Sequence, residues 1–319
     1  MLNQKRFIVS HAPFWHDGSG ITERSYHTFL AALPAAIFGV VKYGMPAVGV
    51  LSLSISFAIL WELAFNKVSK EPVTIGDGNA ALIGLLFGMV LPAAAPWWLV
   101  LVGTFIAVVI GKQIYGGIGG NPFNPIAMAM AILMLSWGFY IDIDVSLIHY
   151  DFGHYALYPI GALKHFGPSA VEGVTAADLL MGNQAGAIGT TFGLGLIIGG
   201  VYLIVRNFIR WEICISFLVG VVLTALMFKA NDAARFGGPV IHLFSGYTLI
   251  GAFFLATEDS SSPVNFVPMI IYGLVGGMLT VLIRNIGAWI DGVFLSILII
   301  NTINPLLDKI RPKALGKVV

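Results

Sequence analysis

What this chain lacks narrows its chemistry before any motif is read. Its 319 residues include one cysteine, Cys214. An internal disulfide is therefore impossible, and this chain alone cannot build a cysteine-ligated iron–sulfur cluster or zinc site. A lone thiol in an apolar stretch reads as packing, with an intermolecular ligand role as the alternative. Charge is equally scarce: Asp, Glu, Lys and Arg make up 10% of the residues and nearly cancel, to a net +1. Soluble domains carry about a quarter charged residues and nucleic-acid binders show a basic face, so both classes are excluded. The first 25 residues hold Asp17, Glu23 and Arg24 and no apolar core, so no cleavable signal peptide is expected. No Ser/His/Asp or Cys/His grouping, Walker loop or dinucleotide fingerprint stands out.

What is there is apolar. Hydrophobic residues reach 57%, and mean hydropathy is +0.88. The distribution predicts an all-α polytopic membrane protein with about ten segments, over 26–41, 46–65, 79–92, 96–111, 122–138, 188–205, 213–228, 240–256, 266–283 and 288–307. These form two copies of a five-segment pattern, Thr28 to Trp137 and Thr191 to Leu307. Leu82-Ile83-Gly84 recurs as Leu249-Ile250-Gly251, and Thr28-Phe29 recurs as Thr191-Phe192. The closing segments both carry an Asn-Pro pair, Asn124-Pro125 and Asn304-Pro305. An odd number of spans per copy inverts the second copy in the bilayer, and inverted repeats place ligand sites near the midplane at their interface.

The third and eighth segments are short. They run into Pro92-Ala-Ala-Ala-Pro96 and Glu258-Asp-Ser-Ser-Ser-Pro263. Irregular backbone at membrane depth persists only where protein or a cavity covers it, so equivalent breaks in the two copies point to a binding site. The expected organisation is a cytoplasmic N-terminal segment (1–25), a first five-helix repeat (26–138), an outer-side loop (139–187), a second repeat (188–307) and a cytoplasmic tail (308–319).

Basic residues set the orientation. With the N-terminus inside, 12 of the 17 Lys and Arg face the cytoplasm, and the outside set is Lys42, Lys164, Lys229, Arg235 and Arg284. Both termini are expected to be cytoplasmic, in the inner membrane of a prokaryote. His149, His154 and His165 in the long loop fit no tight metal spacing and read as a solvated loop. His27 and His242 sit at segment edges, where a hydrogen-bonded interfacial role outweighs haem ligation. Gly116-Gly-Ile-Gly-Gly120-Asn121-Pro122 opens a helix whose free N–H groups could take an anion, with a tight re-entry bend as the plainer reading. Asp77, Glu258, Asp259, Arg284 and Asp291 are charges at broken-helix ends, functional by default or interfacial.

Several stretches together carry a resemblance across nearly the whole chain. They are Asp77-Gly-Asn-Ala-Ala-Leu-Ile-Gly84 with Leu91-Pro-Ala-Ala-Ala-Pro-Trp-Trp98, and Gly111-Lys-Gln-Ile-Tyr-Gly-Gly-Ile-Gly-Gly-Asn-Pro-Phe-Asn-Pro125. Further on come Gly186-Ala-Ile-Gly189 through Gly199-Gly-Val-Tyr-Leu-Ile204, and His242-Leu-Phe-Ser-Gly246 through Gly251-Ala-Phe-Phe-Leu-Ala-Thr257 to Ser262-Pro263. Leu279-Thr-Val-Leu-Ile-Arg284 and Asn304-Pro305 close the set. The chain resembles the RnfD family, the D subunits of the Rnf ion-translocating ferredoxin:NAD oxidoreductase. That family is homologous to the B subunits of the sodium-pumping NADH:quinone oxidoreductase.

The resemblance implies an electron-carrying membrane component of a redox-driven Na⁺ or H⁺ pump. Its implied partners are iron–sulfur, NADH/FMN and covalent-FMN subunits, with membrane lipid around it and no nucleic acid. It also implies a noncovalent riboflavin or FMN inside the membrane and an FMN phosphoester-linked to an outer-loop threonine. The matching stretch here is Glu172-Gly-Val-Thr175-Ala-Ala-Asp178, with Asp178 where the family has the linked threonine. A carboxylate gives no stable phosphoester, so covalent FMN is not expected at Asp178, and Thr175 is the fallback hydroxyl. His242, Ser245, Thr257 and Asp259, with Asn121 and Asn124, are the expected noncovalent flavin neighbours. Two other readings stand beside this one: a passive channel or transporter for a small polar solute, and an anchor protein whose redox role has decayed.

Overall fold

The computed structural model describes residues 20–144 and 157–310. It is all-helical: 72% of it is helix, and no strand occurs among the described residues. Four apolar helical stretches are long enough to cross a membrane, Met45–Ser69, Trp97–Tyr115, Trp211–Asn231 and Phe266–Ile286. Four shorter apolar helices accompany them, Asn79–Val90, Pro125–Ile141, Gly193–Val205 and Val293–Leu307. The chain is a polytopic membrane protein.

In chain order the helices are α1 (Ile21–Tyr43), α2 (Met45–Ser69), α3 (Asn79–Val90), α4 (Trp97–Phe105) and α5 (Pro125–Ile141). Two short helices follow, α6 (Pro159–Phe166) and α7 (Ala176–Met181). The second copy holds α8 (Gly193–Val205), α9 (Trp211–Asn231), α10 (Pro239–Phe244), α11 (Thr248–Ile250), α12 (Phe266–Ile286) and α13 (Val293–Leu307). α2 packs on α3 and α4, and α9 lies along α12, which also meets α13. Across the copies, α1 packs on α8 and α5 on α13.

Small residues set the α9–α12 approach. A Cβ at Gly277 would land on the Phe217 carbonyl, and one at Gly220 on the Leu274 carbonyl. Lipid tails offer helices no hydrophobic reason to associate, so close backbone packing of this kind supplies the attraction.

The eighth segment, read from sequence as one helix over 240–256, is broken in the structure. α10 stops at Phe244, and the chain turns through Ser245-Gly246-Tyr247, with Gly246 at φ +68°, before α11 begins. The turn is braced from outside its own helix. Tyr247 N–H donates to Asp291 Oδ2 (3.0 Å), while Arg284 Nη1 and Thr248 Oγ1 donate to the His242 carbonyl (2.8 and 2.6 Å). α11 then widens into a turn over Gly251–Leu255, closed by Ala256 N–H to Gly251 O at 2.7 Å. The fourth segment behaves alike: α4 widens over Ile106–Ile110, closed by Gly111 N–H to Ile106 O at 2.7 Å.

Short α3 leaves carbonyls open at its end, and the chain returns from the 157–192 region to fill them. Ile188 N–H donates to Leu91 O (3.1 Å), and Gly189 N–H to Met89 O (2.7 Å). The sequence reads 139–187 as an outer-side loop, but its described part contains α6 and α7 and is pinned by two half-buried lysines. Lys42 Nζ donates to the carbonyls of Gly182 and Gln184, and Lys164 Nζ to those of Gly287 and Trp289.

The glycine seam yields a stability test. Gly277→Val should overpack α9 against α12 and cost about 1–3 kcal/mol, seen as a lowered unfolding midpoint in detergent. Gly49→Ala, where an added Cβ meets nothing within 4 Å, should not lower that midpoint, since alanine suits a helix interior better than glycine.

Candidate functional site

A cavity of about 550 Å³ opens where the two copies meet. The first copy contributes residues from α1, α3 and the 112–126 stretch, and the second contributes residues 206–209 and 253–260. Its deep wall is apolar and aromatic, with Leu86, Ile126, Phe253 and Phe254 all buried. Its rim is charged. Arg24 pairs with Asp259 (2.5 Å) and Arg206 with Glu23 (3.4 Å), and all four are partly exposed.

Between rim and deep wall runs an amide-and-carboxylate lattice joining the copies. Asn124 caps α5, its Oδ1 accepting from Ile126 and Ala127 N–H at 3.0 and 2.9 Å. Pro125 at the first helical position costs nothing there, since that N–H has no helical partner anyway. The same Asn124 donates from Nδ2 to the Leu255 carbonyl at 2.9 Å, across to the second copy. Asn121 Nδ2 donates to Glu258 Oε1 at 2.8 Å, and Ser260 Oγ donates to Asn121 Oδ1 at 2.7 Å. Ser261 Oγ also donates to the Glu258 carboxylate, and Asn304 Nδ2 donates to the Ser261 carbonyl at 3.0 Å. The two Asn-Pro pairs, read from sequence as matching features, thus hold opposite ends of their helices: Asn124 starts α5, whereas Asn304 lies in the last turn of α13. Both reach the same 255–261 stretch, so α5 leaves it while α13 arrives.

One further wall element was missed from sequence. Lys112 lines the cavity and pairs with Glu62 Oε2 at 3.0 Å, their side chains 3% and 0% exposed. Glu62 Oε1 accepts from Thr74 Oγ1 (2.5 Å), which accepts from Asn66 Nδ2 (3.0 Å). The signal was present: Glu62 is the sole acid in the 25 residues of α2, and a lone membrane carboxylate marks a partner.

The model of the NQR2, RnfD, RnfE family matches residues 8–316. The chain belongs to that family. It is 36% identical to the D subunit of the proton-translocating ferredoxin:NAD(+) oxidoreductase complex of Clostridium ljungdahlii, over 97% of this chain and 95% of that protein. It is 31% identical to the D subunit of the Na(+)-translocating ferredoxin:NAD(+) oxidoreductase complex of Acetobacterium woodii, over 97% and 94%. The D subunit of the ion-translocating oxidoreductase complex of Yersinia enterocolitica is also 31% identical, over 97% and 98%.

Of the residues expected at the site of this NQR2, RnfD, RnfE member, Asn121, Asn124, Thr257 and Asp259 line the inter-copy cavity. His242 and Ser245 do not line it; they sit at the α10–α11 break, buried, with neither His242 ring nitrogen nor Ser245 Oγ hydrogen-bonded. Arg284 and Asp291 form a buried pair bracing that break (2.9 Å). Asp77 accepts from Asn79 N–H at the start of α3 (2.8 Å). His27 is engaged by Tyr202 at 2.6 Å and lies near Glu23, and it shares no partner with His242. Cys214 is buried in α9. Among the described residues no His, Cys, Asp and Glu group could hold a metal; His149 and His154 lie outside those residues.

Thr175 and Asp178 form the capping box that starts α7. Asp178 N–H donates to Thr175 Oγ1 (3.2 Å), and Thr175 Oγ1 donates back to Asp178 Oδ2 (2.5 Å). Hydrogen bonds from Thr175 and Asn183 hold the Asp178 carboxyl below its ordinary value.

Because folding lowers that pKa, the cap is present above the ordinary carboxylate range and is lost as pH falls through the lowered value. Amide exchange over residues 176–181, corrected for intrinsic rates, should therefore be slow at neutral pH and quicken below about pH 4. Thr175→Ala should quicken it at neutral pH and flatten the pH dependence.

Proposed function

We propose that this chain is the membrane electron-transfer component of a redox-driven ion pump that couples ferredoxin and NAD, and that it carries a noncovalent flavin, riboflavin or FMN, in the inter-copy cavity. The observation that carries the flavin reading is the cavity itself. Its volume of about 550 Å³ lies within the roughly 300–1,000 Å³ typical of small-molecule sites. Its deep aromatic wall suits a planar ring, and its amides and hydroxyls suit ring carbonyls and a polyhydroxy chain. A flavin supplies one- and two-electron chemistry; the protein need contribute only binding, orientation and electrostatics.

Each wall element has a part. Phe253 and Phe254 exclude water from the deep end. Asn121 and Asn124, fixed by their own hydrogen bonds, hold the 255–261 stretch against α5. The Arg24–Asp259 pair spans the rim between α1 and the second copy.

The outer-loop threonine linkage does not fit the residues present. Asp178 offers no hydroxyl, and the Thr175 hydroxyl is already both donor and acceptor within the capping box, beside a carboxylate that would repel a phosphate. This chain is read as carrying no covalent FMN.

With one cysteine and no metal group among the described residues, electrons must enter and leave through other subunits. Iron–sulfur, NADH/FMN and covalent-FMN subunits of Rnf type are the proposed partners. The proposed ion is H⁺ or Na⁺, the two that the relatives' names carry.

The orientation follows from charge. Of the five basic residues outside, Lys42, Lys164 and Arg284 spend their charge on internal carbonyls or on Asp291. The charge bias supports our reading of both termini as cytoplasmic, with the chain in two inverted five-helix halves.

Two measurements test this. Acid extraction of the purified complex should release about one flavin more than its other flavin sites supply, while the denatured band of this chain stays dark under flavin illumination. An equal count, or a bright band lost in Thr175→Ala, would overturn the cofactor reading. For orientation, Glu172→Cys should react with an impermeant maleimide from outside the cell only, the native Cys214 being buried; labelling only in inverted vesicles would reverse the topology.

A further inference from the structure

The Glu62–Lys112 pair is oriented. Lys112 is among the residues that line the cavity and Glu62 is not, so the lysine is the member of the pair that adjoins whatever fills the space. Glu62 is held there by two contacts, the Lys112 ammonium at 3.0 Å and the Thr74 hydroxyl at 2.5 Å, with Asn66 steadying Thr74. Among the described residues Glu62 is the one hydrogen-bond partner of Lys112 Nζ. An ammonium has three N–H donors, so two are left over for a further acceptor.

The other cations around the cavity differ. Arg24 and Arg206 are 36% and 47% exposed and paired at the rim, where solvent screens them. Lys112, at 3% exposure, acts with little screening, and a fixed charge there interacts more strongly with a ligand than the same charge at a rim. Burying such a pair is costly and is repaid only by excellent geometry, so its cost calls for a role beyond holding α2 to the end of α4.

We propose that Lys112 is the potential-setting contact of this cavity: its ammonium donates to the carbonyl-bearing edge of the bound flavin and favours the reduced form, and Glu62 is the positioning residue that fixes it. This rests on the flavin reading above. Reduction adds electrons to that ring edge, so a nearby positive charge stabilises the reduced ring more than the oxidised one and raises the midpoint potential.

The test is a spectroelectrochemical titration of the noncovalent flavin in the intact complex. Lys112→Met should shift its midpoint to more negative potential, and Lys112→Arg should restore it toward the wild-type value. Where loss of the lysine alone leaves Glu62 as an uncompensated buried charge and the complex does not assemble, the double variant Lys112→Met/Glu62→Gln removes both charges and should show the same negative shift. Flavin that stays bound with an unchanged midpoint in both the Met and the double variants would overturn the proposal and leave the flavin reading standing. A wild-type complex with no surplus noncovalent flavin would overturn the flavin reading itself, and this proposal with it.

Discussion

Inside a bilayer, a peptide group that leaves a helix must find its hydrogen bond within the protein, and the architecture of this chain follows from that requirement. Around its broken eighth segment the chain leaves regular helix at Ser245–Tyr247 and again beyond Leu255. Each departure is paired by side chains from elsewhere in sequence. At the first, Arg284 and Asp291 meet the His242 carbonyl and the Tyr247 N–H. At the second, Asn124 meets the Leu255 carbonyl and Asn304 the Ser261 carbonyl. The cavity exists because the backbone around it is irregular, and the backbone can be irregular because amides from both copies satisfy it.

The same economy governs charge. Among the described residues the cations drawn into the protein are engaged: half-buried Lys42 and Lys164 on carbonyls, buried Arg284 on a carboxylate and a carbonyl, and buried Lys112 on Glu62. The first three stitch the chain to itself. Lys112 is distinguished by lining the cavity while its counter-charge does not, which separates a wall charge from a structural tie.

Much of this was legible in the sequence, for physical reasons that can be named. Apolar runs give helices whatever their neighbours do, and Pro and Ser clusters mark where helices end. The break after the eighth segment lies at the cavity, where Asn121, Asn124, Thr257 and Asp259 are found, whereas the matching Pro92–Pro96 break of the third segment does not line it. His242 and Ser245 were grouped with them because they belong to the same apolar run. The Gly246 turn splits that run, and a single left-handed glycine is invisible to hydropathy. Glu62–Lys112 was missed because its members lie 50 residues apart and only packing brings them together. Thr175 and Asp178 carry a second meaning: Thr-x-x-Asp is a helix-capping signature, and the structure uses it as one.

The central claim is that the junction between the two copies is a flavin site. A high-resolution cryo-electron microscopy map of the intact complex tests it most directly. The account predicts flavin density bounded by Asn121, Asn124, Phe254 and Thr257, with no density continuous with Thr175. Lipid or water filling that cavity, with every flavin in the complex accounted for elsewhere, would contradict it.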